Sequence, residues 1–417
     1  MIKTSGLFQF IRIKIPLLGL LFLQSNLSAN TQNLTDQDFW AAVRNEFLLD
    51  IPDNARIQVH RKWYFNNPDY LERVLTRAKP YLWHIRLEIL RRGMPGEILF
   101  LPLVESAYSP YARSAWKAVG LWQFIPTTGK RFKLSQNGWY DGRRDILQST
   151  EAALNYLELL YKRFDNDWLL ALAAYNSGEG TVSKAIRRNK KAHKPIDFWH
   201  LKLPRETREY VPNLLAVCNL IQDPEKHNIQ LPPTKDAPFF EIVNIEDTID
   251  LATAADLAKM PLQDLENLNP GFLMGLIPPD GPKRLLVPIE NSAELIVALE
   301  NTKDIQKSRW KKHHVRSGDT LSEIAKKYGT SIKIIRYANN LSGNTIKIKQ
   351  ILRIPTNTTS KRFKDTIRVK RYLVRKGDTL WDIARSHNVS VKMLRRWNEL
   401  SPRGIIRPGE QLKLAAN

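Results

Sequence analysis

Apolar positions recur at helical spacing through the first half of the chain. Leu99, Leu103 and Ala107 share one stripe, and Pro110 is expected to end that helix. Leu154, Leu157, Tyr161 and Phe164 form a second stripe, with Ser149 and Thr150 as its expected caps. The apolar run Trp168 to Ala174 leads into Tyr175-Asn-Ser-Gly-Glu-Gly180. Two glycines are expected to stop that helix and leave Tyr175 and Asn176 at its exposed mouth. Tyr210, Leu214, Val217 and Ile221 make a last stripe, in which Tyr210 alone reads as core. The pattern predicts an all-α body.

Further on, short β runs alternate with short helices, and the pattern occurs twice. Val315-Arg-Ser-Gly-Asp-Thr-Leu321 matches Val374-Arg-Lys-Gly-Asp-Thr-Leu380 at an offset of 59 residues. Asn339 and Leu341 match Asn398 and Leu400 at the same offset, and Ile346 to Leu352 matches Ile406 to Leu412 one residue later. Each copy reads as a β run, a Gly-Asp turn, two short helices and a closing β run, a β-α-α-β unit. Asp319 or Thr320, and Asp378 or Thr379, can cap the first helix of each unit. Thr356 to Arg362 is a polar linker between them. A third, degenerate copy is expected at 238–290, where Val243-Asn-Ile-Glu-Asp-Thr-Ile249 echoes the turn without its glycine and Leu286-Val-Pro288 echoes the close.

Lys3, Arg12 and Lys14 precede the uncharged run Ile15 to Leu23, and small residues follow up to Ala29. Residues 1–29 therefore read as a secretory signal or an N-terminal anchor, and the chain as exported. Nine apolar residues are short for a bilayer span. No cysteine lies in this segment, so no lipid attachment there is expected.

With 417 residues, 43% of them hydrophobic and 25% charged, the chain is globular and multidomain. Its single cysteine, Cys218, excludes a disulfide framework within the chain and any multi-cysteine metal site, and its apolar setting makes it a buried, inert thiol. Between Lys307 and Lys413 there are 27 basic and 7 acidic residues, so this stretch carries +20 of the formal net charge of +22. Such a tail can bind nucleic acid, anionic lipid or an anionic envelope polymer. Export argues against nucleic acid and leaves an anionic membrane or wall surface. No metal and no cofactor is expected.

From Ile98 to Ala112 the only charged side chain is Glu105. Apolar surroundings favour the protonated form of a carboxyl group, which suits a general acid. The alternative at this point is a salt-bridged core glutamate. Ser114 then leads into Gly120-Leu-Trp-Gln-Phe-Ile-Pro-Thr-Thr-Gly129, which carries a glycine turn, an aromatic platform and the neutral amide of Gln123. Such groups recognise sugar hydroxyls and N-acetyl groups by stacking and hydrogen bonding. The later acids Asp141, Asp145, Glu151, Asp167 and Glu179 are better suited to helix starts, ion pairs or the surface.

Four motifs stand in order over about 85–225: Glu105-Ser106, Gly120 to Gln123, Ala174-Tyr-Asn-Ser-Gly178 and the lone Tyr210. Together they resemble the Slt-type lytic transglycosylases. Tyr140-Asp-Gly-Arg-Arg-Asp145 and Phe198-Trp199, with the order of the parts, narrow the likeness to a membrane-bound branch of that family. The repeated Gly-Asp-Thr-Leu turns, the asparagines and Ile354-Pro355 resemble LysM modules, which bind glycans containing N-acetylglucosamine. The resemblance implies an all-α lysozyme-like (Slt) catalytic domain at 85–230 behind a helical extension at 30–84. Small α+β modules follow at 238–290, 313–356 and 371–414.

It also implies a peptidoglycan substrate and a one-carboxylate mechanism. Glu105 would protonate the leaving β-1,4 glycosidic oxygen, with help from the substrate's N-acetyl group. It would then act as base for the muramic acid's own six-hydroxyl, giving a 1,6-anhydro end. An intramolecular nucleophile gains from proximity and needs no second protein base. Ser114, Gln123, Tyr175 and Asn176 would hold the sugar, and Tyr210 would hydrogen-bond near Glu105. Gly318, Asp319 and Thr320, with Gly377, Asp378 and Thr379, would form glycan-binding turns, or Asp319 and Thr320 would be caps only. A water-using muramidase, an inert wall-binding scaffold and a nucleic-acid binder are the competing readings.

Overall fold

A computed structural model describes residues 38–114, 116–245, 249–278, 281–301, 310–339, 341, 343–356, 371–386, 391, 394–395, 398, 400 and 406–414. The expected signal at 1–29, most of the polar linker and Glu246 to Thr248 of the degenerate turn lie outside them.

The first part is helical: α1 (Phe39–Asn45), α2 (Ala55–Phe65), α3 (Pro68–Arg91), a 3-10 turn (Gly96–Phe100), α4 (Leu101–Ser106), α5 (Pro126–Arg131), α6 (Ile146–Arg163), α7 (Trp168–Ser177), α8 (Glu179–Lys191) and α9 (Arg205–Gln222). One apolar cluster joins them. It runs from Phe39 through Leu75, Leu82 and Ile85 of α3 to Leu157 of α6 and Leu214, Val217 and Ile221 of α9. The helix α9 carries the broadest buried face, Cys218 included, and burial pushes the thiol well above its ordinary range. The residues ahead of 85 are part of this core, since α2 packs lengthwise on α9 and Tyr64 Oη donates to Asn213 Oδ1 at 3.0 Å.

Helix boundaries differ from the sequence expectation at α4, α6 and α7. The helix α6 starts at Ile146 because Asp145 accepts from the Gln148 amide at 2.9 Å, so Ser149 and Thr150 are interior, buried residues rather than caps. Gly178 alone, at φ 86°, ends α7, whereas Gly180 lies inside α8.

Three two-stranded antiparallel sheets follow. In the first, β1 (Phe240–Asn244) pairs with β2 (Arg284–Pro288), with α10 (Leu251–Leu257) and α11 (Leu262–Leu268) between them and α12 (Ile289–Asn301) after. In the second, β3 (Trp310–His314) pairs with β4 (Ile351–Pro355) around α13 (Leu321–Lys327) and α14 (Ile332–Ala338). In the third, β5 (Arg371–Leu373) pairs with β6 (Gln411–Lys413), with α15 (Leu380–Ser386) between. The repeated asparagine locks the second helix to the closing strand. Asn339 Nδ2 donates to the Arg353 carbonyl at 3.0 Å, and its Oδ1 accepts from the Arg353 amide at 2.7 Å. Asn269 does the same to Leu286, at 2.8 and 2.9 Å. The degenerate copy therefore keeps the clamp although it has lost the turn glycine.

The first unit is fused to the helical body. Backbone hydrogen bonds run from Asp141 N to Gly271 O and from Leu273 N to Trp139 O, at 2.9 and 2.8 Å, and Arg284 pairs with Asp145 at 2.8 Å.

Candidate active site

The helix α4 is one and a half turns long and ends on Glu105-Ser106. It does not continue to Pro110. Ala107 and Tyr108 adopt left-handed conformations, φ 48° and 54°, and break it there. Arg77 of α3 donates to the freed Ala107 carbonyl at 2.7 Å, and the buried Tyr108 hydroxyl donates to the Leu99 carbonyl. Ser106 Oγ donates to the Pro102 and Leu121 carbonyls at 2.9 and 2.8 Å, which ties this helix end to the segment that follows.

That segment is a small hairpin, with bridges Arg113–Val119 and Val119–Phe124. Gly120 is required in it. At φ 83°, a Cβ there would stand 2.2 Å from the Arg143 carbonyl oxygen. Arg143 is buried and forked on Asp141 (Nε–Oδ1 2.9 Å, Nη2–Oδ2 2.7 Å), and its Nη1 donates to the Lys117 and Phe124 carbonyls at 2.9 and 3.2 Å. The Tyr-Asp-Gly-Arg-Arg-Asp run is therefore a brace for the hairpin, a role the sequence reading missed. Its visible signal was an acid and a base two residues apart between glycine and aromatic residues.

Gln123 sits at φ 50°. Its Nε2 donates to the Gly120 carbonyl at 2.8 Å and to the Ala112 carbonyl at 3.3 Å. Its Oε1 is buried and has no hydrogen-bond partner among the described residues. Ser114 Oγ accepts from the Ala118 amide at 3.1 Å and closes the hairpin tip. The aromatic platform expected within Gly120–Gly129 is not one. Trp122 is fully buried, with Nε1 donating to Thr150 Oγ1 at 3.0 Å, and Phe124 is buried too. Both face inward because the hairpin folds back over α6.

Tyr175 and Asn176 are half-buried rather than at an open mouth. Tyr175 Oη donates to the Trp122 carbonyl at 2.9 Å, and Asn176 Oδ1 accepts from Thr207 Oγ1 at 2.8 Å. These bonds join α7 to the hairpin and to α9. Burial, and next the charge of Glu105, push the Tyr175 hydroxyl well above its usual range. One turn beyond Thr207, Tyr210 Oη donates to Glu105 Oε1 at 2.6 Å. The four motifs thus meet around a single carboxyl group. The other acids are held elsewhere: Asp141 by Arg143, Glu179 by Arg131 at 3.4 Å, Asp145 and Asp167 as helix caps, and Glu151 exposed on α6.

In the repeated units Gly318 and Gly377 adopt φ 90° and 88°. Thr320 and Thr379 do the capping, each accepting from the amide three residues on at 3.2 and 3.1 Å. The aspartates do not cap; they turn back to the preceding loop. Asp319 Oδ2 accepts from the Arg316 amide at 2.7 Å and pairs with His313 Nε2 at 2.9 Å. Asp378 Oδ2 accepts from the Arg375 amide at 2.8 Å and from the Tyr372 hydroxyl at 2.7 Å, while its Oδ1 meets Arg73 of α3 at 2.9 Å.

An α-helical body with one glutamate under a braced hairpin, followed by β-α-α-β units, defines a lysozyme-like Slt domain carrying LysM modules. Family models agree: transglycosylase SLT domain over 88–198, the LysM-like domain of lytic transglycosylase MltD over 239–304, and LysM over 313–355 and 372–415. Membrane-bound lytic murein transglycosylase D of Escherichia coli K12 is 39% identical over 389 residues, 91% of this chain and 86% of the relative. The chain belongs to that family. Membrane-bound lytic murein transglycosylase C of Actinobacillus pleuropneumoniae serotype 5b is 33% identical over 169 residues, 36% of this chain and 46% of the relative. Among solved structures, the 70 kDa soluble lytic transglycosylase of E. coli is similar at 22% identity and a TM-score of 0.27, over 49% of this chain and 34% of that one.

Proposed function

We propose that this chain cleaves the β-1,4 bond between N-acetylmuramic acid and N-acetylglucosamine in peptidoglycan and leaves 1,6-anhydro ends. The observation that carries the reading is the lone Glu105 carboxyl, held by Tyr210 where the four motifs converge. Glu105 gives its proton to the glycosidic oxygen as the bond from the anomeric carbon breaks, and the N-acetyl oxygen stabilises that carbon. The carboxylate then takes the proton of the six-hydroxyl, whose oxygen closes on the anomeric carbon. No water enters the product, and Glu105 ends protonated as it began. The buried, unmatched Oε1 of Gln123 is an acceptor suited to a sugar amide N–H. Ser114, Tyr175 and Asn176 shape the wall around it.

In this reading 85–230 is the catalytic domain and 30–84 its helical extension, the modules at 313–356 and 371–414 hold wall glycan, and 238–290 is a fused third unit. Their turns, Gly318-Asp319-Thr320 and Gly377-Asp378-Thr379, are the glycan-reading loops. The protein is exported and works in the cell envelope, with the basic tail on anionic polymers or lipid headgroups. Among the described residues no helix is long and apolar enough to cross a membrane.

Digestion of purified sacculi tests this. Wild type should release anhydromuropeptides by mass, whereas Glu105→Gln should release none and still sediment with sacculi. Products heavier by one water would show hydrolysis instead, and products from the Glu105→Gln variant would remove Glu105 from the mechanism.

A further inference from the structure

The hairpin that lines the site presents one aromatic side chain outward. Trp116 is 86% exposed, whereas Trp122, six residues on in the same hairpin, is fully buried. Exposing an indole gives up the burial that normally places tryptophan inside, so a bare one on a stiff loop suits a partner with an apolar face. The loop is stiff. Lys117 N donates to the Ser114 carbonyl at 3.1 Å and Ser114 N to the Ala118 carbonyl at 2.9 Å. Arg143 holds the Lys117 carbonyl, and Lys117 itself is left-handed at φ 62°.

We propose that Trp116 is a sugar-stacking subsite at the rim of the cleft, which binds a ring of the glycan strand away from the scissile bond. Three observations choose the occupant. First, the loop is welded to the Glu105 helix through Ser106 and Leu121. Leu121 is five residues from Trp116, which at ~3.3 Å per residue puts the Trp116 Cα within about 17 Å of that weld, the reach of a short oligosaccharide. Second, the polar atoms of Ser114 at the tip and Gln123 at the base belong to the same hairpin, so a strand held by both runs along it. Third, Arg113 and Lys117, three residues before and one after Trp116 in the chain, are exposed cations on the same loop and complement the carboxylates of a peptide-bearing muramic acid. A flat apolar face between two cations fits an anionic glycan better than a hydrophobic protein surface.

The inference deepens the proposed function and rests on it. The test uses the full chain and uncrosslinked glycan strands from sacculi, with wild-type anhydro product formation as the control for the reaction itself. Trp116→Ala should lower kcat/KM about ten-fold (about 1.4 kcal/mol), with the loss carried by KM. Trp116→Tyr should recover most of it. In a Glu105→Gln background, the same Ala substitution should weaken strand binding by a similar factor. An unchanged KM and unchanged binding in Trp116→Ala would overturn the subsite. So would a fall in kcat alone, or a Trp116-dependent dimer in sedimentation. If wild type makes no anhydro product yet strand binding still depends on Trp116, the chemistry fails and the subsite stands.

Discussion

Tyr210 and Glu105 are 105 residues apart and meet through one short hydrogen bond. A hydroxyl donated to the carboxyl group fixes its rotamer and stabilises the carboxylate formed once the proton has been given to the sugar, and hydrogen bonds to charged groups are worth about 1.5–3 kcal/mol. Tyr210→Phe keeps the ring among Leu214 and its neighbours and removes only the donor. The expected result is a fall in kcat of about 10- to 100-fold, with the near-ultraviolet spectrum and sacculus binding retained. An unchanged kcat would make Tyr210 a packing residue only. At this scale the sequence was legible where a motif named the residue and mute on burial. Tyr210 read as core by its stripe, and it is core, yet its hydroxyl reaches the acid. Trp122 read as a platform and is buried, while Trp116 carried no signal and is bare. The two tryptophans are six residues apart in one hairpin, and the direction in which it folds separates them.

Helix boundaries that follow from capping chemistry were legible in part, and those set by strain were not. Asp145 and Asp167 were among the acids read as suited to helix starts, ion pairs or the surface, and both accept from the amide three residues on. No letter announced that α4 would stop at Ala107, because alanine seldom takes a left-handed conformation. The stop is held from outside by Arg77 on the Ala107 carbonyl and by Ser106 on Leu121. Those contacts offset a local cost, so relieving it should stabilise the fold. Ala107→Gly is expected to raise unfolding stability by about 1 kcal/mol, seen as a higher denaturant midpoint at an unchanged slope. A lower midpoint would mean that the alanine methyl packs better than the backbone strains.

The order of the parts was plain in the sequence, because a repeat declares itself. How they dock was not, because docking rests on residues outside every repeat. Trp139 is the clearest case. It lies within the helical body, yet its ring is part of the core of the first β-α-α-β unit with Val243, Leu265 and Phe272, and its Nε1 donates to the Ala338 carbonyl of the next unit at 3.1 Å. Ile334 and Ala338 of α14 join the same cluster, so one indole fastens three parts together. Removing it should loosen the modules while sparing Glu105. Truncating a buried tryptophan costs about 3–5 kcal/mol, enough to release α14 from the body. In Trp139→Ala the amides of Ile332–Ala338 should therefore exchange faster with deuterium. Those of β3 and β4 should hold, because their ladder and the Asn339–Arg353 clamp are internal to the module. Trp139→Phe keeps part of the packing and loses the N–H and the second ring, so its exchange should fall between the two. Cleavage of short soluble strands should persist in both variants, while attack on intact sacculi, which needs wall anchor and cleft in one frame, should slow. Unchanged exchange over α14 in the alanine variant would show that the module moves independently of the cleft.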